Sequence, residues 1–200
     1  EKLINSLYAS KSKDSFKTKL NLYLFSKTLE KNKTELSLSE FKKFKIKEDL
    51  LVLYTTKYHQ LLNEDLVNGK MVEDIYNGIK KLKKANKKQV EKFKEVYKED
   101  FREIMTKEQF SSILNRGKCC YCGITEKRID QLIRNQKIHK KANRGFKLEI
   151  ERFDSNQEYF YKNVDLACYW CNNAKTDEFT KEEFSPIGEE ISKIWEKRIK

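Results

Sequence analysis

The chain has 200 residues, room for one domain or two small ones, and its 38% hydrophobic and 12% aromatic content supports a modest core. Its 43 Lys and Arg outnumber 31 Asp and Glu, giving a net charge of +12. That balance points to a polyanionic partner, most simply nucleic acid, unless the Lys-rich composition only reflects an AT-rich genome. No apolar run approaches the length of a membrane span, and no signal-peptide pattern opens the sequence, so a soluble cytoplasmic protein is expected.

Residues 1–105 read as a helical region. Phe16, Leu20, Tyr23, Leu24 and Leu29 form a rough helical stripe. Ser37-x-x-Glu40 resembles a capping box ahead of Phe41 and Phe44. Leu50, Leu51, Tyr54, Tyr58, Leu61 and Leu62 continue at helical spacing, and Asn68-Gly69 breaks the chain. Met71, Ile75, Ile79 and Leu82 make a clean stripe, and Asn86-x-x-Gln89 can cap a further helix carrying Val90, Phe93, Tyr97, Phe101 and Ile104. Four or five helices burying their stripes against one another account for this region, with the aromatics as core. Lys80 to Lys88 holds six lysines in nine residues and no acid, either a phosphate-contacting surface or a solvated face. Residues 37–58 give only a weak helix-turn-helix signal.

Thr106-x-x-Gln109 caps a short helix with Phe110, Ile113 and Leu114, which Gly117 ends. Two cysteine pairs follow, Cys119-x-x-Cys122 and Cys168-x-x-Cys171, separated by 45 residues. Four thiolates are the set a closed tetrahedral zinc site needs, and Gly123 permits a tight turn after the first pair. Disulfides and redox use are the rival readings; neither suits two pairs flanking one acidic segment in a cysteine-poor chain. Such a zinc would be structural, since four protein ligands leave no open position. Cys120 is left over as a small buried residue.

Residues 125–141 read as a helix with Ile129, Leu132 and Ile133 as its apolar side. Arg134 to Lys147 then carries six Lys and Arg plus His139 and no acid, placed to hold a phosphate backbone through Lys140, Lys141, Arg144 and Lys147. From Phe146 to Phe153 the pattern alternates, with Phe146, Leu148 and Ile150 on one face and Lys147, Glu149 and Glu151 on the other, as in a half-buried strand. Asp154-Ser155-Asn156 ends it, and Val164, Leu166 and Cys168 give a second strand. Thr180-x-x-Glu183 is a further capping box, and Ser185-Pro186 starts a final helix with Ile187, Ile191, Ile194 and Trp195 buried.

These blocks, over roughly residues 106–180, resemble the HNH endonucleases of the zinc-containing ββα-metal type. The resemblance rests on Cys119-Cys120-Tyr121-Cys122-Gly123, Leu148-Glu149-Ile150-Glu151-Arg152, Asn163-Val164-Asp165-Leu166-Ala167-Cys168 and Cys171-Asn172-Asn173-Ala174-Lys175. It implies a mainly α fold with a small α+β module: a helical region at 1–105 for target or partner binding, then an HNH-like domain at 106–200 with a C-terminal helix. Glu151 stands where the family has its metal-binding Asp, Asn172 where the last motif residue helps hold the same Mg²⁺ or Mn²⁺, and Asn163 where an Asn fixes the loop between the strands. The family's general-base His is replaced by Arg152, which stays protonated and cannot activate water, but could stabilise charge on the phosphate.

The base is left open among a cation-bound water, Glu149 or Asp154, and His139, with His59 a remoter choice. Lys175 would support a neighbouring phosphate. The implied activity is metal-dependent hydrolysis of phosphodiester bonds, on double-stranded DNA for preference. The implied setting is restriction, antiviral defence or a mobile element of bacterial or phage origin. The alternative is a catalytically inactive zinc-stapled module that binds nucleic acid or a partner. A third reading is a nuclease silent until its helical region docks on a protein.

Overall fold

Helices dominate the computed structural model, which describes residues 1–30, 35–138 and 144–199. His139, Lys140 and Lys141 lie outside the described residues. The chain divides into two compact units: Glu1–Ile104 with Asn156–Tyr159, and Met105–Ser155 with Phe160–Lys200. The short segment that joins the helical unit comes from the connection between two strands of the other.

In the first unit, α1 (Lys2–Leu29) is flanked by α4 (Val72–Ala85) and α5 (Lys87–Ile104). Four consecutive α1 residues, Leu22 to Phe25, are buried, because neighbours meet more than one side of the helix. The short α2 (Leu38–Lys43) inserts Phe41, which stacks on Phe93 with ring centroids 4.6 Å apart and planes 6° from parallel. Ser37 caps α2, but Glu40 turns from the reciprocal capping bond to pair with Lys27 at 2.8 Å. Helix α3 (Glu48–Val52) widens into a π-helical turn at Leu53–Tyr58, so the stripe from Leu50 to Leu62 is not one α-helix; Leu62 is exposed.

Asn68-Gly69 does more than break the chain. Both residues have positive φ, 51° and 74°, and join β1 (Leu66–Val67) to β2 (Lys70–Met71) in a two-residue hairpin. Such turns favour Asn-Gly because their twist matches that of the strands. Asn86 serves the helix before it: its Nδ2 donates to Leu82 O at 3.0 Å at the end of α4. In the segment from the other unit, Tyr159 N and Tyr97 Oη both donate to the buried Ser15 Oγ, at 3.0 and 2.8 Å, and Tyr97 Oη also reaches Glu158.

The second unit opens with α6 (Lys107–Leu114), whose full capping box joins Thr106 and Gln109. Helix α7 (Glu126–Arg134) is shorter than its apolar spacing suggests: it ends at Asn135, and Gln136 follows at φ 56°. Strand β3 (Glu149–Arg152) pairs antiparallel with β4 (Val164–Ala167), setting Glu151 opposite Asp165 and Arg152 opposite Val164. The alternation from Phe146 overstates this strand, and Phe146 is exposed. Helix α8 (Tyr169–Lys175) follows at once, and α9 (Lys181–Ile199) closes the unit. Pro186 lies inside α9 rather than at its start, because Thr180 and Glu183 already cap the helix one turn earlier with reciprocal bonds of 2.8 and 3.2 Å. Ser185 Oγ donates to Lys181 O at 2.8 Å in that first turn.

Candidate metal centre and acidic face

The four cysteines come from two turns that the chain tightens for different reasons. In the first, Gly123 at φ 69° reverses the backbone, so that Gly123 N donates to Cys119 O and Cys119 N to Ile124 O, both at 2.9 Å. Cys120 N donates to Leu166 O at 2.8 Å, tying this knuckle to β4. In the second, Cys168 is the N-cap of α8 and its Sγ accepts from Cys171 N at 3.5 Å. All four Sγ atoms are buried and lie within 4.8 Å of one another, with Cys122 and Cys168 at 3.6 Å. A disulfide needs about 2.05 Å, and all four are free thiols. Zinc–sulfur bonds of about 2.3 Å in a tetrahedron set sulfurs roughly 3.8 Å apart. The cluster can therefore hold a metal ion such as zinc.

A dication in the centre would favour thiolate at all four cysteines. The site is not a substitute for a core. Ile124, Ile129, Leu132, Ala167, Phe184 and Trp195 pack with the cysteines in one buried cluster. Cys120 is only half-buried beside it.

The same knot brings β3 against α8. Glu151 is 5% exposed and its Oε1 lies 3.4 Å from Lys175 Nζ. Burial pushes its carboxyl up to about 6, against the pull of Lys175, and Asp177 adds to the rise while Arg152 opposes it. One pleat earlier, Glu149 takes a bidentate pair from Arg144, at 3.2 and 2.8 Å, and accepts from Asn172 Nδ2 at 2.8 Å. Asn172 thus meets Glu149 directly.

Asn163 works on the backbone: its Oδ1 accepts from Asp154 N at 2.9 Å and its Nδ2 donates to Asp154 O at 3.0 Å, locking the chain just after Arg152. Asp154, Lys162 and Asp177 also line an open, polar cleft of about 440 Å³. Helix α8 ends abruptly because Thr176 adopts φ 54° and ψ −155°, a region costly for a residue with Cβ, and the next residue is Asp177.

Two of the residues expected to contact phosphate are paired with carboxylates. Lys175 is 1% exposed and is the counter-ion of Glu151. Arg144 is exposed, but its guanidinium is engaged by Glu149 and lies 5.5 Å from the Tyr169 ring. Lys147 is exposed. Glu149 is the residue that spacing alone undervalues; its signal was its place two residues before Glu151, on the same face of β3. His59 packs edge-on against Tyr54 in the helical unit, 4.6 Å between centroids. Among the described residues, the cysteines are the group of three or more His, Cys, Asp and Glu close enough to share an ion.

No protein-family model matches this chain. No curated protein matches it either. A solved structure, that of the rare-cutting HNH restriction endonuclease PacI and its mechanism of DNA perturbation, is similar at 37% identity over 40% of this chain and 55% of that chain. The TM-score is 0.35, a weak likeness, and the chain spans about half the length of that structure.

Proposed function

We propose that the second unit is a zinc-stapled nuclease module that hydrolyses phosphodiester bonds of nucleic acid, double-stranded DNA first, with a divalent cation. The observation that carries this reading is the acidic face of β3 held against α8: a buried Glu151, a Glu149–Asn172 bond and a locked Asp154 turn, all fixed by one four-cysteine knot. Glu151 and the Oδ1 of Asn172 are hard oxygen donors of the kind Mg²⁺ and Mn²⁺ take, with substrate phosphate oxygens completing the set. Such a cation would supply Lewis acidity and a lowered water pKa.

The chain's own groups divide the remaining work. Lys175 holds Glu151 in place from behind. Asn163 fixes the turn that follows Arg152, and Arg152 offers a permanent positive charge to the phosphate as negative charge builds on its oxygens. Glu149, restrained by Arg144 and Asn172, is the carboxylate best placed to take a proton from water in place of the missing His.

The test is nicking of supercoiled plasmid by zinc-loaded protein with Mg²⁺ or Mn²⁺. Glu151→Ala and Asn172→Ala should each lose at least about a hundredfold in rate with zinc content unchanged. One observation favours a second reading, an inactive binding module: the Lys175 ammonium already neutralises Glu151. Wild type that binds nucleic acid but cleaves neither plasmid, single strands nor RNA would establish it.

A further inference from the structure

The helical unit carries a charge arrangement that neither the cysteine knot nor the β3–α8 face uses. Helix α4 ends and α5 begins within Lys80–Lys88, and all six lysines of that run are exposed. Among the described residues none of the six is in an ion pair. Farther along α5 the same residue types are self-neutralised: Lys94, Lys98 and Arg102 pair with Glu91, Glu95 and Glu99 at 3.4, 2.6 and 2.5 Å. The lysines of the corner are therefore not an ordinary salt-bridged helix surface. Lys87 and Lys88 also sit in the first turn of α5, which holds no acid, where the helix dipole disfavours cations and favours an anion.

Geometry gathers these charges. Lys80, Lys83 and Lys84 fall at i, i+3 and i+4 on one face of α4. With Lys87, Val90 and Glu91 they line an open groove of about 430 Å³. We propose that this α4–α5 corner docks the phosphodiester backbone of duplex DNA. The large apolar residues within it, Leu82 and Val90, are buried, and the apolar side chain left exposed there is the small Ala85, so it offers no anchor for a lipid surface and no aromatic or large apolar centre for a protein interface. It offers a row of lysine point charges, which suit a regular row of phosphates without reading sequence. This surface is independent of whether the second unit cleaves.

The test uses the full, zinc-loaded chain and a short labelled duplex of arbitrary sequence, with no Mg²⁺ or Mn²⁺ added, so that binding is read apart from cleavage. Affinity is measured against salt for wild type, for Lys80→Gln/Lys83→Gln/Lys84→Gln/Lys87→Gln, and for the control Lys94→Gln/Lys98→Gln/Arg102→Gln. The four-lysine variant should lose at least about tenfold in affinity at moderate salt, and its log–log salt slope should flatten by about 0.9 for each phosphate contact removed. The control should stay within about twofold, the same four sites changed to Arg should bind like wild type, and all variants should melt as wild type does. Equal affinity of wild type and the four-lysine variant would overturn the proposal, as would equal losses in the variant and the control. Binding to phosphatidylserine vesicles that depends on the four lysines while DNA binding does not would also overturn it, in favour of a membrane surface.

Discussion

Glu151 and Lys175 face each other 3.4 Å apart where β3 meets α8, both nearly sealed from water. Removing one partner of such a pair leaves a buried charge with nothing to balance it, at a cost of about 3–5 kcal/mol, whereas replacing both by neutral groups of similar size costs far less. Lys175→Met is therefore expected to destabilise the second unit by a few kcal/mol, and Glu151→Gln/Lys175→Met to recover most of that loss. Urea unfolding of the four proteins of this cycle, each zinc-loaded, checks the coupling. Additive losses would mean that the two groups do not depend on each other. At this scale the sequence spoke through spacing and charge. It made Glu151, Asn163 and Asn172 candidates, but could not tell that Lys175 turns inward. A lysine four residues after a cysteine on a short helix is buried only because β3 presents a carboxylate to it, and that contact spans 24 positions of chain.

Among the elements, α9 shows how a single small residue sets a packing distance. Gly188 is buried on the helix, and a Cβ there would come within 2.7 Å of Tyr121 Cβ and 3.0 Å of Tyr121 backbone atoms. The first cysteine knuckle thus presses its backbone against α9, with Phe184 edge-on to Tyr121 at 5.0 Å. Gly188→Ala should gain roughly 1 kcal/mol of helix propensity but force the knuckle outward, at about 1–3 kcal/mol. A fall in the melting temperature is expected; a rise would mean that the helix and knuckle do not pack so closely. Capping boxes at Thr106 and Thr180 were legible because they are local. Lengths were less so: alternation from Phe146 continues past the ladder that β4 can pair, and Pro186 reads as a start only until the earlier cap is counted. The π-helical turn at Leu53–Tyr58 has no local signature, since its apolar spacing fits an α-helix as well.

For the whole molecule, the division of labour can be followed by two built-in reporters. Both tryptophans, Trp170 and Trp195, belong to the second unit, 5.0 Å apart by ring centroids and packed with the four-cysteine cluster. Stripping metal with a strong chelator should shift tryptophan emission to the red and reduce helicity only in part, with recovery on adding Zn²⁺. An unchanged emission spectrum after metal loss would separate the cluster from folding. The two-part organisation shows in the sequence as a change from helical stripes to cysteine and acidic motifs. The membership of Asn156–Tyr159 in the helical unit does not, because it depends on a hydroxyl at Ser15 and a phenol at Tyr97 far away in the chain. The cysteine cluster also makes abundance a matter of supply. An ion that binds only the folded form adds stability by mass action, so each tenfold fall in free metal would withdraw about 1.4 kcal/mol from the second unit. Where zinc is scarce, the share of chains with an assembled acidic face would fall without any change in the protein's own residues.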